Sequence, residues 1–102
     1  MVYDADMAAQ LRIYDIKPGM MEEFSAKVDE ELLPIRLDHG FRRSGPWMVE
    51  ETYQYVWIVH YDGEEAFAEA DERYYADPRR GEMSFDPMDY IDKVYARMLT
   101  PL

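Results

Sequence analysis

The spacing at which hydrophobic residues recur changes within positions 11–24, which read LRIYDIKPGMMEEF. The first half alternates as a strand does, which predicts a strand over residues 10–16, and Pro18-Gly19 then predicts a turn. Beyond the turn, apolar residues recur every three or four positions, which predicts a helix with one core-facing stripe. The stripe consists of Met21, Phe24, Val28, Leu32 and Ile35. Pro34 falls inside it, so we expect the regular helix to kink or end there.

Three more strands and a second helix are predicted downstream. The strands cover residues 41–50, 53–61 and 93–99. The inner stripe of the second helix consists of Phe67, Ala70 and Tyr74. Because proline cannot donate a hydrogen bond within a sheet, Pro46 places the second strand at an edge. The order βαββαβ predicts an α+β, ferredoxin-like domain, in which two helices cover one face of a four-stranded antiparallel sheet.

The third predicted strand, YQYVWIVHY, is apolar on both sides. One side carries Tyr53, Tyr55, Trp57, Val59 and Tyr61, and the other carries Val56, Ile58 and His60. Helices can cover only one face of such a sheet, and a bare second face would expose more apolar surface than monomers usually do. The simplest cover is the same face of a second copy. We therefore expect a homodimer.

Length and charge narrow the choice of partners. The 102 residues suffice for one domain, which we place at residues 10–102 after a flexible extension of residues 1–9. A formal net charge of −11 would repel phosphate backbones and anionic lipids, so we expect neither nucleic acid nor a membrane as partner. The chain has no cysteine, which excludes disulfides and thiolate metal sites. Because we find neither a signal peptide nor a long apolar run, we expect a soluble cytoplasmic protein.

Five segments of the chain resemble one known family, in the right order. They read LRIYDIKPGMMEEF, LLPIRLDHGFRRSGPW, VWIVHYDGEEAF, YYADPRR and ARMLTPL. Together they span residues 11–102 and resemble the NIPSNAP family, which belongs to the dimeric α+β barrel superfamily. The resemblance implies two four-stranded sheets packed face to face, with the helices outside. The chain departs from the family pattern after Pro78, where we expect residues 81–87 to be irregular and one helical turn to follow Asp86-Pro87.

The resemblance implies a type of chemistry rather than one reaction. Superfamily relatives include cofactor-independent monooxygenases of aromatic polyketides, haem-degrading oxygenases, chlorite dismutases and muconolactone isomerases. Active relatives often bind their substrate between helices and sheet, in a pocket lined by aromatic residues and one or two polar groups. We therefore expect a cofactor-free oxygenase or isomerase acting on a hydrophobic or aromatic small molecule. The alternative is a binding or interaction module without catalysis.

Three polar residues are candidates for such a site. His60, late in the third strand, is a candidate general base or metal or haem ligand, and the alternative is a histidine bonded to a backbone carbonyl at a strand end or one exposed at the rim. Arg12 and Tyr14 share one side of the first strand and fall in the family's L-R-x-Y pattern, where they would orient an oxyanion. Alternatively, Arg12 pairs with one of the 22 acidic side chains.

Aromatic residues and a second histidine are further candidates. Four aromatic residues either stack on a planar ligand or belong to the core: Trp47, Trp57, Tyr74 and Tyr75. His39 is expected to cap the first helix, because a cation there interacts favourably with the helix dipole. Adjacent glutamate pairs indicate solvated helix faces, and the chain has no zinc-protease, phosphate-loop or hydrolase motif. We expect neither a metal nor a cofactor.

Overall fold

The computed structural model describes residues 8–102. Its elements in chain order are β1 (Ala8–Ile16), α1 (Met21–Lys27), a π-helical turn (Val28–Leu32), α2 (Leu33–Asp38), β2 (Phe41–Val49), a 3₁₀ turn (Glu50–Thr52), β3 (Gln54–Tyr61), α3 (Phe67–Tyr75), α4 (Arg79–Glu82), a second 3₁₀ turn (Pro87–Asp89) and β4 (Ile91–Leu99). The predicted N-terminal extension covered residues 1–9. Residues 1–7 lie outside the described part, whereas Ala8 and Ala9 belong to β1.

The four strands form one antiparallel sheet in the order β2-β3-β1-β4. This order confirms the predicted ferredoxin-like α+β fold and places β2 at an edge, as Pro46 required. The pairing of β2 with β3 shifts register between Ser44 and Trp47. An irregularity of this kind changes which face the following residues occupy, because neighbouring strand residues point to opposite faces.

The two faces of the sheet have different surroundings. We call the face packed against the helices the covered face; it carries the buried residues Tyr14, Ile16, Phe41, Tyr55, Trp57, Val59 and Tyr61. The opposite face, here called the open face, carries the half-buried residues Leu11, Ile13, Val56 and Ile58. Tyr53, which was predicted to lie in the third strand, precedes it. It adopts a left-handed conformation with φ 53°, and its hydroxyl accepts a hydrogen bond from the Met21 N–H.

The first helical region is interrupted before Pro34 rather than at it. The N–H of Leu33 donates to the carbonyl of Val28, which closes the wider π turn. A π turn inserts one extra residue and so rotates the residues that follow it. Consequently Ile35 and Arg36 are both buried, at 5% and 2% exposure.

The ends of the helices largely agree with the sequence. His39 is the C-cap residue of α2, and Gly40 follows with φ 89°, the predicted left-handed cap. The buried residues of α3 are those of the predicted stripe, and the predicted turn after Asp86 is present. The short α4 was not predicted, because its sequence RRGE has no apolar stripe. Within residues 8–102, no helix has both the length and the apolar character needed to span a membrane.

Candidate functional site

A cavity of about 180 Å³ lies between the helical layer and the covered face of the sheet. The sheet contributes Arg12, Tyr14 and Trp57, and the helical layer contributes apolar side chains such as Phe24 and Val28. An engineered protein cavity of about 150 Å³ holds one benzene molecule. The space therefore suits a small ligand built around one ring.

Tyr14 is held by two donors at the floor of this cavity. Its hydroxyl oxygen accepts a hydrogen bond from Arg12 Nε at 2.7 Å and another from Trp57 Nε1 at 3.0 Å. Its ring stacks on Tyr55 with centroids 5.8 Å apart. Since the oxygen already accepts two hydrogen bonds, the O–H of Tyr14 remains available as a donor to a ligand.

The helical wall carries a second, buried arginine. Arg36 Nη1 donates to Asp71 Oδ1 at 2.6 Å, and the guanidinium carbon lies 3.9 Å from the centre of the Tyr74 ring. Such a cation over an aromatic face is favourable, and more so away from water. Burial raises the pKa of Tyr74 to about 12, although the nearby guanidinium of Arg36 opposes this rise. Tyr74 is therefore a neutral phenol at physiological pH.

A third arginine closes the wall formed by the segment after α3. The guanidinium carbon of Arg80 lies 4.8 Å from the ring centre of Tyr75, and its Nη1 donates to the Tyr74 hydroxyl at 3.3 Å. Asp86, which is exposed, lines the same cavity and caps the second 3₁₀ turn by accepting a hydrogen bond from the Met88 N–H at 2.9 Å. The cavity thus combines an apolar body with several charged groups.

The structure brings five of the seven predicted site residues to this cavity. They are Arg12, Tyr14, Trp57, Tyr74 and Tyr75. Whether these five residues bind a ligand stays a prediction. The predicted alternative for Arg12, an ion pair, is not formed with any acidic residue of the described range; its partners there are Tyr14 and Gln10, the latter at 2.7 Å.

His60 lies on the open face, so its predicted place in the same pocket is wrong. It pairs with Ala9 and Arg42 across the sheet, and its Nε2 is 2.8 Å from the Ser44 hydroxyl. Neighbouring strand residues point to opposite faces, so the burial of Tyr61 on the covered face fixes His60 on the other. Burial lowers the pKa of His60, and the positive charge of Arg42 lowers it further. The sequence left open a bond to a backbone carbonyl, whereas the structure has a hydrogen bond between His60 and the Ser44 side chain.

Trp47 is also absent from the cavity. It pairs with Val56 of the open face and is 53% exposed. Without the register shift after Ser44, regular pairing would have placed Trp47 opposite Tyr55, on the covered face. The predicted stacking role in the pocket is therefore wrong for this residue.

His39 lies at the predicted position at the end of α2, but its side chain makes contacts that the sequence did not reveal and that use its Nδ1 as an acceptor. Its Nε2 is 2.8 Å from Asp77 Oδ2, and its Nδ1 is 2.7 Å from Arg73 Nη1. Because an arginine can only donate, Nδ1 must accept and Nε2 must carry the proton that is donated to Asp77. Hydrogen bonds from Arg79 and His39 hold the pKa of Asp77 well below its usual range. The cluster joins the ends of α2 and α3.

Sequence reasoning missed Arg36 and Arg80. Arg36 follows Leu32 by four positions, so it continues the row of Val28 and Leu32, and an arginine on an apolar stripe is a recognisable signal. Arg80 gave no such signal, because its place at the cavity depends on how the chain returns after α3. Within the described residues, no group of three or more histidine and acidic side chains is arranged to hold a metal ion.

Comparison with known proteins identifies the relatives of this chain. The NIPSNAP family model matches residues 9–102. An uncharacterized NIPSNAP domain protein from Burkholderia xenovorans is 26% identical, with a TM-score of 0.81 over 94% of this chain and 95% of that chain. A NIPSNAP family protein from Agrobacterium tumefaciens is 22% identical, with a TM-score of 0.82 over 100% of this chain and 91% of that chain. The predicted resemblance is confirmed.

A more distant relative shares the fold. It is a putative antibiotic biosynthesis monooxygenase from Nitrosomonas europaea, 10% identical, with a TM-score of 0.72 over 100% of this chain and 96% of that chain. At this identity the similarity shows a common architecture and no common reaction. No curated protein sequence matches the chain significantly.

Proposed function

Because the chain belongs to the NIPSNAP family and keeps a cavity between its helices and its sheet, we propose that it binds a hydrophobic or aromatic small molecule there. The observation that carries this proposal is the cavity of about 180 Å³, apolar over most of its wall and polar at Arg12 and Tyr14. Small-molecule sites generally combine an apolar body with a few placed polar groups. The proposal concerns binding first and catalysis second.

Binding is tested by filling the cavity from its rim. Val94 lines the cavity from β4 and is already 38% exposed, so Val94→Trp adds bulk without replacing a core residue. A panel of one-ring compounds, neutral and charged, is titrated against the wild type by calorimetry and by thermal melting. We expect several members to bind and to raise the melting temperature of the wild type, since a ligand stabilises the folded state that binds it. Val94→Trp should abolish both effects.

Met98→Trp is the matched control for this experiment. Met98 lies on the same strand and pairs with Gln10 on the same side of the sheet, is 52% exposed, and does not line the cavity. This variant should bind the panel as the wild type does. Binding that survives Val94→Trp unchanged would place the ligand elsewhere, and a panel in which nothing binds would remove the proposal.

For catalysis, we propose a cofactor-independent oxygenase or isomerase in which Tyr14 contacts the reacting part of the substrate. Arg12 and Trp57 fix the hydroxyl of Tyr14 from two sides, which positions its proton for donation to a developing oxyanion. His60 takes no part in this arrangement. An oxygenase consumes dioxygen and an isomerase does not, so an oxygen electrode run with each bound compound separates the two.

Tyr14→Phe keeps the ring, removes the hydroxyl that the proposed catalysis needs, and also removes the acceptor of Arg12 Nε and Trp57 Nε1. Loss of one oxyanion donor typically lowers a rate by about 10²–10³, whereas a buried donor left without its acceptor costs about 1–3 kcal/mol of stability. We expect turnover to fall in that range while binding of the ring persists. The second candidate, a binding module without catalysis, is favoured by the position of His60 on the open face. It is supported if compounds bind and none is converted.

We also propose that the open face packs against the same face of a second copy. Four half-buried aliphatic residues meet there, and the exposed Trp47 extends the surface at the β2 edge. A two-fold arrangement buries both copies of such a surface at once. Light scattering at micromolar concentration is expected to give twice the chain mass of 12.2 kDa. A well-behaved monomer would contradict this assembly.

A further inference from the structure

Three arginine side chains line one cavity in a strongly acidic protein. They are Arg12 from β1, Arg36 from α2 and Arg80 from α4. The chain has 11 basic residues against 22 acidic ones, so acidic partners are plentiful. Nevertheless, within residues 8–102 only Arg36 of the three forms an ion pair, with Asp71. The concentration of positive charge at an apolar cavity therefore needs a cause other than chain composition.

Two of these guanidiniums have donors to spare. Arg12 uses Nε for Tyr14 and Nη1 for Gln10, and Arg80 uses Nη1 for a long hydrogen bond to Tyr74. Each guanidinium has five N–H donors in a planar fork, so both retain several donors beyond the partners found in the described part of the chain. Such a fork matches the two oxygens of a carboxylate.

Arg36 adds an independent observation. The residue is 2% exposed, and its Nε forms no hydrogen bond within residues 8–102. A buried donor without an acceptor is costly and calls for an explanation. Arg36 lines the cavity, so its buried positive charge adds to the potential that favours a bound anion there.

The charges around the cavity also set the charge of the molecule. Asp71 neutralises Arg36, and Asp86, which is exposed and pairs with none of the three arginines within residues 8–102, adds one more negative charge to the lining. Three cations against two carboxylates leave a single positive charge. A monoanion completes the balance, whereas a dianion would bring excess negative charge beside Asp86.

We propose that the ligand of this cavity is a one-ring carboxylic acid, bound as its monoanion, with the carboxylate held by Arg12 and Arg80 and the ring in the apolar part. This inference rests on the proposed small-molecule function and specifies its substrate class. Arg80 comes from α4, so the preference for an acid depends on the path that the chain takes after α3.

Benzoate and benzamide are the probes, because they share shape and ring and differ in charge. Their dissociation constants are measured by calorimetry on the full chain at neutral pH. We expect benzoate to bind about tenfold tighter than benzamide or better, as charge-assisted hydrogen bonds are stronger than neutral ones. Arg80→Met and Arg12→Met should each weaken benzoate about tenfold and leave benzamide within about twofold.

Arg79→Met is the matched control. Arg79 is adjacent to Arg80 and carries the same charge, but it pairs with Asp77 and Asp38 and does not line the cavity. It should bind both probes as the wild type does. Circular dichroism verifies that each variant is folded. Because Arg12 also donates to Tyr14, Arg12→Met can disturb the cavity floor, and Arg80→Met then gives the decisive result.

The outcomes separate this inference from the proposed function. Equal binding of benzoate and benzamide, abolished in both cases by Val94→Trp, would overturn the acid preference and leave the pocket function standing. A benzoate preference that survives both Arg12→Met and Arg80→Met would overturn the assigned residues. If neither probe binds the wild type, the inference fails; if the whole panel of one-ring compounds fails as well, so does the pocket function.

Discussion

The two tryptophans of this protein lie on opposite faces of the same sheet and have opposite environments. Trp57, on the covered face, is 2% exposed and donates to Tyr14 in the cavity floor. Trp47, on the open face, is 53% exposed and lies beyond the register shift of the edge strand. The covered face therefore has the ordered polar contacts that a ligand site needs, while the open face carries the half-buried aliphatic residues Leu11, Ile13, Val56 and Ile58.

This difference assigns separate tasks to the two faces. We proposed binding for the covered face and self-association for the open face. Each face can be altered alone, because strand alternation lets one residue change without affecting the opposite side. The predictions below use that separation, beginning with the largest expected effect.

Ile58→Asp should have the largest effect. Ile58 lies in the middle of the open face, opposite Leu11 and Ser44. If a second copy covers that face, the substitution buries an unpaired carboxylate, which costs several kcal/mol, comparable with the stability of a small domain. We expect loss of the dimer in light scattering and a large drop in melting temperature. Ile58→Val is the control and should cost about 0.5–1.5 kcal/mol. A stable Ile58→Asp dimer would show that the open face is exposed to solvent and is not the dimer interface.

Two arginine pairs, one on each side of the sheet, should differ in importance. Arg36 with Asp71 belongs to the helical layer, where the side chains are 3% and 23% exposed. Arg42 with Asp62 belongs to the open side, where they are 54% and 46% exposed. Breaking a buried pair costs about 3–5 kcal/mol; we expect about 2–3 kcal/mol for Arg36→Met, because Asp71 retains some water.

Arg42→Met is the matched comparison and should cost no more than about 1 kcal/mol, as exposed pairs usually do. Urea unfolding of both variants gives the two values directly. Equal losses of unfolding free energy in the two variants would contradict the prediction that the buried pair contributes more than the exposed pair.

His60 should make the free energy of unfolding depend on pH in the range below 6.5, the ordinary pKa of histidine. Burial, followed by the charge of Arg42, lowers the pKa of His60 from 6.5, so the folded state binds fewer protons than the unfolded state. Stability is then fully present above about pH 6.5 and falls as the pH drops through the folded-state value. His60→Gln should remove this acid-side loss from a series of melting curves and leave benzoate binding unchanged. If the melting temperature of His60→Gln depended on pH as that of the wild type does, His60 would not be the group responsible.

Salt should have the smallest effect on the proposed packing of the two open faces. Two copies of charge −11 carry about −22 together, so screening of their repulsion should tighten association between roughly 10 mM and 0.5 M salt. The dimer dissociation constant, measured by sedimentation, reports this change. A constant value would show that the charges lie away from the interface.

The sequence predicted features that depend on local periodicity. The alternation of residues 53–61 revealed two apolar faces, Pro46 located the edge strand, and Arg12 and Tyr14 were correctly placed together. Each of these predictions needs only neighbouring residues and the geometry of a strand.

Features that depend on a change of phase or on tertiary packing were missed. One irregularity after Ser44 moved Trp47 to the other face. Alternation already placed His60 on the side opposite Trp57, and tertiary packing then decided which of the two sides the helices cover. Arg80 reaches the cavity only through the path of the chain after α3. Such contacts arise from how elements pack against one another, and no local pattern encodes them.

The π-helical turn at Val28–Leu32 also determines how this chain should be aligned with its relatives. A relative with a regular α-helix in this region would have one residue fewer, and the single gap belongs inside the π turn. A gap placed further along would match residues of the pocket wall with residues that face solvent. The counterpart of Arg36 is therefore found by counting back from the C-cap residue, His39 here, and not forward from Met21.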